Sequence, residues 1–532
     1  MNFIAAAIDK PFIPPWSELR AFAPELWLIA TIVGVLLTPF FTPRRSNVIC
    51  AMVALAGLVL ALLSALVVGT DSASVGVHFR GFLVADQVSV LWKVLLLLFV
   101  IGIIFMWFST TASSMHEGDG PEYFTLLLGA TLGMCFMAST GNLLMLFMSV
   151  ELTSLPSYVL SGFRKTHPIG AEASLKYVLF GAAASSMMVY GLSILYGLYG
   201  TLQVDELASR VSAGGAPSGA LLAVALAGLL IGIGFKISAV PLHFWCPDVF
   251  EGASIEISAF LSVASKGAAL VLLLRVLMSV AHGLGFQPHP PGLSLNALAA
   301  VIGVLGAITA TVGNTAAFVQ TNIKRLLAYS SIAHAGYMLC ALSLLVRRGV
   351  DVEPISSAAQ AILLYLAVYM FMNLGAFTVA GLIWRETGSE NIEDYADLGR
   401  RSPLLAVCMT VFMFSLVGLP PFAGFNAKLT IMYVLGQNGG WWWALVAVIG
   451  LNTVFSLYYY ARVVRLMYLV PSSKEPVSPN VIGSAIAVLC AAVLFLMFVG
   501  FSPLNRLTRD YGKVYVGGPA PSGMPTALAA EK

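Results

Sequence analysis

The chain has 532 residues, of which 59% are hydrophobic and 10% charged, and its formal net charge is +3. Soluble domains carry roughly 25% charged residues, so no water-soluble core could absorb this apolar excess. The net charge is small and there are no runs of like charge, so the sequence lacks the charge pattern of a nucleic-acid-binding protein. The composition therefore predicts a polytopic protein whose solvent is the lipid bilayer.

Fourteen apolar segments follow one another along the chain, each near the length of roughly 20 residues that crosses the hydrocarbon layer as a helix. They lie near 24–41, 49–69, 88–109, 123–139, 142–162, 172–199, 219–240, 254–279, 294–314, 323–345, 356–384, 403–432, 441–464 and 481–501. These segments are long and rich in Leu, Ala, Gly and Val, which favours helices over the alternating strands of a barrel. The predicted fold class is all-α, with about 14 transmembrane helices.

Lys and Arg residues concentrate in the loops on one side of the predicted bundle, among them Arg164, Arg325, Arg385, Arg400 and Arg401. Short loops that are rich in Lys and Arg face the cytoplasm. The sequence therefore predicts that both termini face outward.

Two of the predicted spans contain proline where a helix should continue. The seventh runs into Pro241, and the twelfth contains Pro420 and Pro421. Because proline removes a backbone donor and clashes with the preceding turn, each helix should unwind locally. Interrupted helices five spans apart are typical of transporters with inverted repeats, although the two halves share little residue-level similarity. We predict two inverted five-helix repeats with discontinuous helices 7 and 12.

Basic side chains within the apolar spans are the main functional signal. They are Lys93, Lys176, Lys236, Lys266, Arg275 and Lys428. An unpaired charge in the bilayer core costs several kcal/mol, so such residues usually face a bundle interior or a water-filled cavity. For Lys93 and Arg275 the alternative is snorkelling, in which a long side chain lifts its charge to the interface.

Three of these lysines are the strongest candidates for a functional role. Lys236 and Lys428 each sit beside a proline break, where freed carbonyls and trapped water can solvate a cation. Lys266 lies mid-span among small residues that leave room for water. Glu151, in the middle of the fifth span, has too short a side chain to snorkel. Paired with Lys236, it would form a coupled two-group unit that handles protons.

Other ionisable residues allow two interpretations each. Glu172 and Lys176 lie four apart and suit an intrahelical ion pair, which either supports proton transfer or stabilises a helix end. His334 lies deep in a span and could act as a proton shuttle or as a hydrogen-bonded structural residue. His243 and Asp248, near the first break, are candidate gate or interface residues.

Covalent and metal chemistry find no support in the sequence. The six cysteines are scattered singly without CxxC spacing and are predicted to be packing residues. No Walker A loop and no HExxH, HxxxH or GxSxG motif occurs. We therefore expect no metal or cofactor site in this chain, and a vectorial activity that carries protons or cations.

Five stretches give the chain a family resemblance. They cover residues 151–160, 172–177, 234–252, 320–334 and 419–428. With them the sequence resembles the antiporter-like membrane subunits of respiratory complex I, the proton-pumping NADH:quinone oxidoreductase. Lys428 and the 320–334 stretch favour its subunit N branch over the related subunits of Na⁺/H⁺ antiporters and membrane-bound hydrogenases.

The resemblance implies a role for each matching residue. Glu151 and Lys236 would be the ion pair of a first half channel, Lys266 a central relay and Lys428 the terminal proton carrier, with Glu172 and Lys176 in support. It implies no redox centre here, with NADH, FMN, iron–sulfur clusters and quinone in partner subunits. The partners would be other membrane-arm subunits, in the cell inner membrane.

We predict four segments along the chain. Residues 1–122 would form N-terminal helices, 123–279 the first repeat, 280–470 the second, and 471–532 the last helix and a tail. Two rival functions remain at this stage: a subunit of a secondary cation/proton antiporter or hydrogenase, and a passive scaffold whose buried charges only fix helix packing.

Overall fold

The computed structural model describes residues 14–41, 46–71, 74–111, 115–116, 118–164, 168–212, 219–284, 295–346 and 352–514. Within these ranges the chain forms twenty-one α-helices and one two-stranded hairpin. The helices are α1 (Trp16–Ala21), α2 (Ala23–Phe41), α3 (Ser46–Thr70), α4 (Gln87–Thr110), α5 (Gly120–Ser139), α6 (Leu143–Ser161), α7 (Pro168–Tyr199), α8 (Val204–Ser212), α9 (Gly219–Ile237), α10 (Trp245–Gly252), α11 (Ile255–Phe260), α12 (Lys266–Leu284), α13 (Leu295–Ala317), α14 (Ile323–Leu342), α15 (Val352–Thr387), α16 (Leu398–Arg401), α17 (Pro403–Val417), α18 (Ala423–Gln437), α19 (Trp442–Leu469), α20 (Val481–Val499) and α21 (Phe501–Val514).

Thirteen helical segments in the described ranges are long and apolar enough to cross a bilayer. They correspond to the predicted spans one to eleven, thirteen and fourteen. The twelfth span is the pair α17 and α18, each 15 residues long. The prediction of an all-α membrane protein with about fourteen spans is confirmed, and the chain is a multi-pass membrane protein.

The spans differ in how much of their surface the rest of the chain covers. The rest of the chain buries every residue in the most apolar stretch of Ile255–Ser279 and 94% of the residues in those of α14 and α15, but only 22% in that of α20. Large apolar side chains such as Leu489 remain exposed on the peripheral spans. Ile255–Ser279, α14 and α15 therefore form the centre of the bundle. The outer helices present an apolar surface that is compatible with lipid.

Small residues bring α13 and α14 into backbone contact. A Cβ atom added at Gly336 would lie 2.4 Å from the amide nitrogen of Ala310, and one at Gly306 would lie 2.7 Å from that of Cys340. Transmembrane helices use such residues to approach closely, because dispersion contacts replace the hydrophobic effect between helices in lipid. This packing fixes the position of α14, which lies beside the candidate site.

Both predicted helix breaks are present. α9 ends at Ile237, and α10 begins at Trp245 after a run of turns that contains Pro241. α17 ends at Val417 because Gly418 adopts φ +87°, a left-handed conformation that only glycine takes up at little cost. The prediction of local unwinding near the prolines is therefore confirmed.

A further irregularity was not predicted. The span Ile255–Ser279 contains a π-helical turn, Leu261–Ser265, between α11 and α12. The turn contains no proline or glycine from which it could have been predicted. Single π-helical turns are frequent at functional sites, and this one ends immediately before Lys266.

A hairpin between α3 and α4 covers one end of the bundle. Its strands β1 (Gly76–His78) and β2 (Leu83–Ala85) pair antiparallel, with Val77 opposite Val84. Asp86 then caps α4 by accepting a hydrogen bond from the amide of Ser89.

The division of the chain into four segments and the inverted relation of its halves stay predictions.

Candidate functional site

Lys428 is held by the end of the neighbouring half-helix. Its Nζ donates to the carbonyls of Leu416 and Val417 at 2.9 and 2.8 Å, and lies 4.9 Å from the ring centre of Tyr337. The last carbonyls of a helix lack intrahelical donors, so the end of α17 offers acceptors inside the bundle. The expectation that a proline break supplies carbonyls to a buried lysine is met here.

Lys266 begins α12 directly after the π-helical turn and is 2% exposed. Its Nζ donates to Oγ of Ser331 at 2.6 Å and to Sγ of Cys246 at 3.2 Å. These two partners belong to α14 and α10, so the amine joins three elements. Cys246, predicted to be a packing residue, also contacts the central lysine.

One face of α14 connects Lys266 with Lys428. Ser331, His334 and Tyr337 are spaced three residues apart, which places them along one side of a helix. Ser331 contacts Lys266, and the ring of Tyr337 faces Lys428. His334 lies between them, with its ring centre 5.6 Å from that of Tyr337.

His334 is buried and hydrogen-bonded, since its Nδ1 lies 2.5 Å from the hydroxyl of Tyr365. The ring of Tyr369 also packs against the imidazole, with 5.1 Å between ring centres. The structural interpretation and the shuttle interpretation of this histidine are therefore compatible: the ring is fixed in place and lies between two amines.

Lys236 occupies an aromatic pocket. It is 1% exposed, and its Nζ has no hydrogen-bond partner in the described part of the chain. The ring centres of Tyr158, Tyr177 and Phe235 lie 5.3, 5.5 and 6.0 Å away, within the range of cation–π attraction. Tyr177 stacks on Trp245, with 4.2 Å between ring centres. Since Trp245 precedes Cys246, α10 links this pocket to Lys266.

Glu151 does not touch Lys236. Its carboxylate instead accepts a short hydrogen bond from the hydroxyl of Ser185 on α7. No ion pair between the two residues occurs in the described ranges, so the expected direct contact is absent. The Lys236 ammonium instead faces the rings of Tyr158 and Tyr177, and the charge of Glu151 acts on it through space.

Glu172 and Lys176 form the expected pair, at 2.8 Å, within a larger ion network. Lys176 also reaches Asp248 at 2.7 Å. Arg325 binds the same aspartate at 2.8 Å and Glu251 at 2.6 Å. The network ties α7, α10 and α14 together at the end of the bundle with the Arg-rich loops. Asp248 therefore lies in an interface between helices.

The two residues for which snorkelling was considered are both buried in ion pairs. Lys93 lies 2.7 Å from Glu25, and Arg275 lies 2.8 Å from Asp86. The snorkelling alternative is wrong for both, because each acidic partner sits at a helix start and reaches the basic group inside the bundle. An acid in the first turn of an apolar helix was the only sequence signal for Glu25.

Two further buried charges were missed by sequence reasoning. Lys324 is 2.6 Å from Glu390 and donates to the carbonyl of Ala253 at 2.8 Å. Glu256 is completely buried and accepts from the hydroxyl of Thr111 at 3.0 Å. Both lie close to the start of α11, since Glu256 is its second residue and Ala253 precedes it by two. His243 is buried in the turn that precedes α10.

The described residues contain no group of three or more His, Cys, Asp or Glu side chains that could hold a metal ion. Amines, hydroxyls, aromatic rings, the thiol of Cys246 and the imidazole of His334 make up the central contacts. Such groups can bind, hold and pass protons.

A protein-family model described as "NADH:quinone oxidoreductase/Mrp antiporter, TM" matches residues 140–456, which is more than half of the chain. The chain belongs to this family. The matched region contains Glu151, Lys236, Lys266 and Lys428, whereas Glu25 precedes it.

Curated relatives of the chain are named as subunit N of NADH-quinone oxidoreductase. A protein from Anaeromyxobacter sp. called NADH-quinone oxidoreductase subunit N is 40% identical, over 96% of this chain and 100% of its own length. NADH-quinone oxidoreductase subunit N 2 from Sorangium cellulosum is also 40% identical, over 91% of this chain and 96% of its own.

Solved structures share the fold. A chain of respiratory complex I from Thermus thermophilus is 32% identical, with a TM-score of 0.73 over 91% of this chain and 99% of that one. A chain of an archaeal membrane-bound sulfane sulfur reductase has a TM-score of 0.81 at 23% identity, covering 94% of this chain and 98% of that one. A chain of the Mrp complex from Dietzia has a TM-score of 0.76 at 20% identity, covering 93% and 98%. The last two establish a common fold and no more.

Proposed function

We propose that the chain is a proton-translocating membrane-arm subunit of a bacterial NADH:quinone oxidoreductase in the cell inner membrane. The relatives that are 40% identical over nearly their whole length, and the complex I chain of similar fold, support this assignment. NADH, FMN, iron–sulfur clusters and quinone would bind in partner subunits. This chain would contribute no redox centre, and its partners would be the other membrane-arm subunits.

The observation that carries the proposal is a series of contacts across the centre of the bundle. It starts at Lys236 and continues through Tyr177 and Trp245 to Cys246, which contacts Lys266. From Lys266 it follows the face of α14 to Lys428. We call Lys236, Lys266 and Lys428 the lysine row. Glu151 acts on the first of these through space.

The chemistry of the lysine row follows from its surroundings. An amine accepts a proton and an ammonium donates one, so each lysine can serve as a carrier without a covalent step. Buried sites screen charge poorly, so a proton that arrives at one lysine disfavours a proton on the next. A movement that separates a lysine from its acceptors, such as the carbonyls of Leu416 and Val417, would release its proton. Partner subunits would drive that movement with the energy of electron transfer.

The test is to replace Lys236 or Lys428 with alanine in the assembled complex and to measure NADH oxidation and proton movement in reconstituted vesicles. We expect proton translocation to fall sharply in both variants. Arg400→Ala is the control, because Arg400 is 84% exposed on the loop side and its removal should leave both activities intact. Normal pumping and normal NADH oxidation in both lysine variants would defeat the assignment of these residues.

A subunit of a sodium/proton antiporter or membrane-bound hydrogenase is the second candidate function. The observation that supports it is the matching family model, whose description names the Mrp antiporter beside NADH:quinone oxidoreductase. The measurement that separates the two is whether transport requires NADH or only a sodium gradient. A passive scaffold makes a different prediction, namely that Lys266→Met reduces assembly of the complex before it reduces turnover.

A further inference from the structure

An ion pair lies outside the family region, in the N-terminal helices. Glu25 is the third residue of α2 and Lys93 the seventh of α4, and both side chains are buried. Lys93 Nζ and Glu25 Oε1 are 2.7 Å apart. Apart from this ion pair, neither carboxylate oxygen of Glu25 has a polar partner among the described residues.

A small cavity adjoins this pair. Glu25, His78, Lys93 and Ser139 supply its polar lining, and we call it the outer cavity. It has room for about one water molecule. The hydroxyl of Ser139 also lacks a partner within the described ranges, so three buried oxygen atoms at this site have unmet hydrogen-bonding capacity. Buried polar atoms without protein partners commonly bind ordered water.

The outer cavity lies at the end of the bundle opposite the Arg-rich loops. Thr111, at the far end of α4, hydrogen-bonds Glu256 near Lys324 and therefore lies on the Arg-rich side. Lys93 is near the other end of the same helix, beneath the hairpin. Since Arg-rich loops face the cytoplasm, the outer cavity lies towards the opposite aqueous phase.

Lys93 is also next to the contact between α4 and the lysine row. The ring of Trp92 fills the space above Gly267, where an added Cβ would lie 2.2 Å from a ring carbon. Gly267 adjoins Lys266 in sequence. Lys93 and Lys266 thus each adjoin, in sequence, one of the two residues that form this contact between α4 and α12.

We propose that Glu25 and Lys93, with one water molecule in the outer cavity, form a proton-release site of this subunit. Lys93 ammonium gives its proton to the Glu25 carboxylate, which leaves a neutral amine and a neutral acid. The acid passes the proton through the water to the outer phase, and the amine takes up the next proton from the interior. Among the described residues, the other titratable groups that face the pair are His78 of the hairpin and Cys135 of α5.

The inference rests on the proposed function, and a structural role for the pair is its rival. A buried ion pair contributes little net stability, and replacing both partners by neutral groups of similar volume is often neutral or stabilising. The double variant Glu25→Gln/Lys93→Met therefore removes the titratable groups without leaving an unpaired charge. Asp71→Asn is the matched control, because it breaks the more exposed pair with Arg20 at the same end of the bundle.

The experiment uses the intact complex in proteoliposomes and measures protons moved per NADH oxidised. We expect the double variant to assemble, to oxidise NADH when uncoupled, and to lose proton transfer severalfold, while Asp71→Asn matches the wild type. An assembled double variant that pumps at the wild-type ratio overturns the proposal. If that variant fails to assemble, Glu25→Asp decides, since it keeps the charge. A release site requires an altered pH profile of pumping and a shifted carboxylic-acid band in the redox-induced infrared difference spectrum, and no change in either would refute it.

The outcome is separable from that of the proposed function. If Lys236→Ala and Lys428→Ala abolish pumping and the double variant does not, only the release site is wrong. If all of these variants pump normally, the proposed function fails first.

Discussion

Gly424→Ala should uncouple proton transfer from NADH oxidation without touching an ionisable group. Gly424 lies in the first turn of α18, against the end of α17. A Cβ atom there would lie 1.8 Å from the carbonyl oxygen of Ser415, whereas real contacts of this kind are not shorter than 3.0 Å. The two half-helices must therefore separate by about 1 Å or more. The carbonyls that hold Lys428 directly follow Ser415.

The magnitude follows from the two hydrogen bonds of Lys428. Their lengths of 2.9 and 2.8 Å would approach 4 Å after such a separation, beyond hydrogen-bonding distance. Bonds to a charged group contribute about 1.5–3 kcal/mol each, so about 3–6 kcal/mol of interaction with the amine is at stake. If only about 1.4 kcal/mol of this appears in the barrier for proton transfer, the step slows about tenfold. We expect at least that loss in pumping.

The assay compares NADH oxidation with proton uptake in vesicles that contain the assembled complex. Gly436→Ala is the matched control on the same helix, because its Cβ would meet only the ring of Trp443 at an ordinary 3.4 Å. Alanine also favours a helix over glycine by about 1 kcal/mol, so the control should be stable. Equal pumping in Gly424→Ala and Gly436→Ala would refute the argument that the carbonyls of α17 position Lys428.

Three further outcomes are expected. Arg275→Met leaves Asp86 buried without its ion-pair partner and should destabilise the complex by about 3–5 kcal/mol. The double variant Arg275→Met/Asp86→Asn should recover most of this stability. Equal thermal stability of the single and double variants would contradict the pairing. Cys246→Ser keeps an acceptor for the central lysine and should pump, while Cys246→Val should pump more slowly in the same vesicle assay. Outside the membrane, burial raises the pKa of Asp394, but hydrogen bonds and positive charges, chiefly from Lys474, leave the pKa below its ordinary value. Its stabilising effect is therefore complete above about pH 4 and lost as the pH falls through the lower folded-state pKa, so Asp394→Asn should be less acid-sensitive than the wild type in thermal unfolding.

Local sequence was sufficient for the membrane spans and their interruptions. Hydropathy is a property of consecutive residues, so the predicted span 88–109 and helix α4 agree within a residue at each end. Proline and glycine act on their own backbone, so the breaks at Pro241 and Pro420 were also predictable. The π-helical turn before Lys266 was not, because it depends on how the surrounding helices hold that span.

The identity of the buried amines was likewise available from the sequence, since a lysine in an apolar span needs a solvated site wherever it lies. Their partners were decided by the tertiary structure. Lys93 forms an ion pair with Glu25, which is 68 positions away in the sequence, and Lys266 donates to Ser331, which is 65 positions away. Glu151 and Lys236, predicted to touch, have other neighbours: Glu151 accepts from Ser185, and Lys236 faces the rings of Tyr158 and Tyr177. Burial of a charge follows from the residues beside it in the chain, but the group that compensates it comes from another helix, whose position is fixed only when the whole bundle packs.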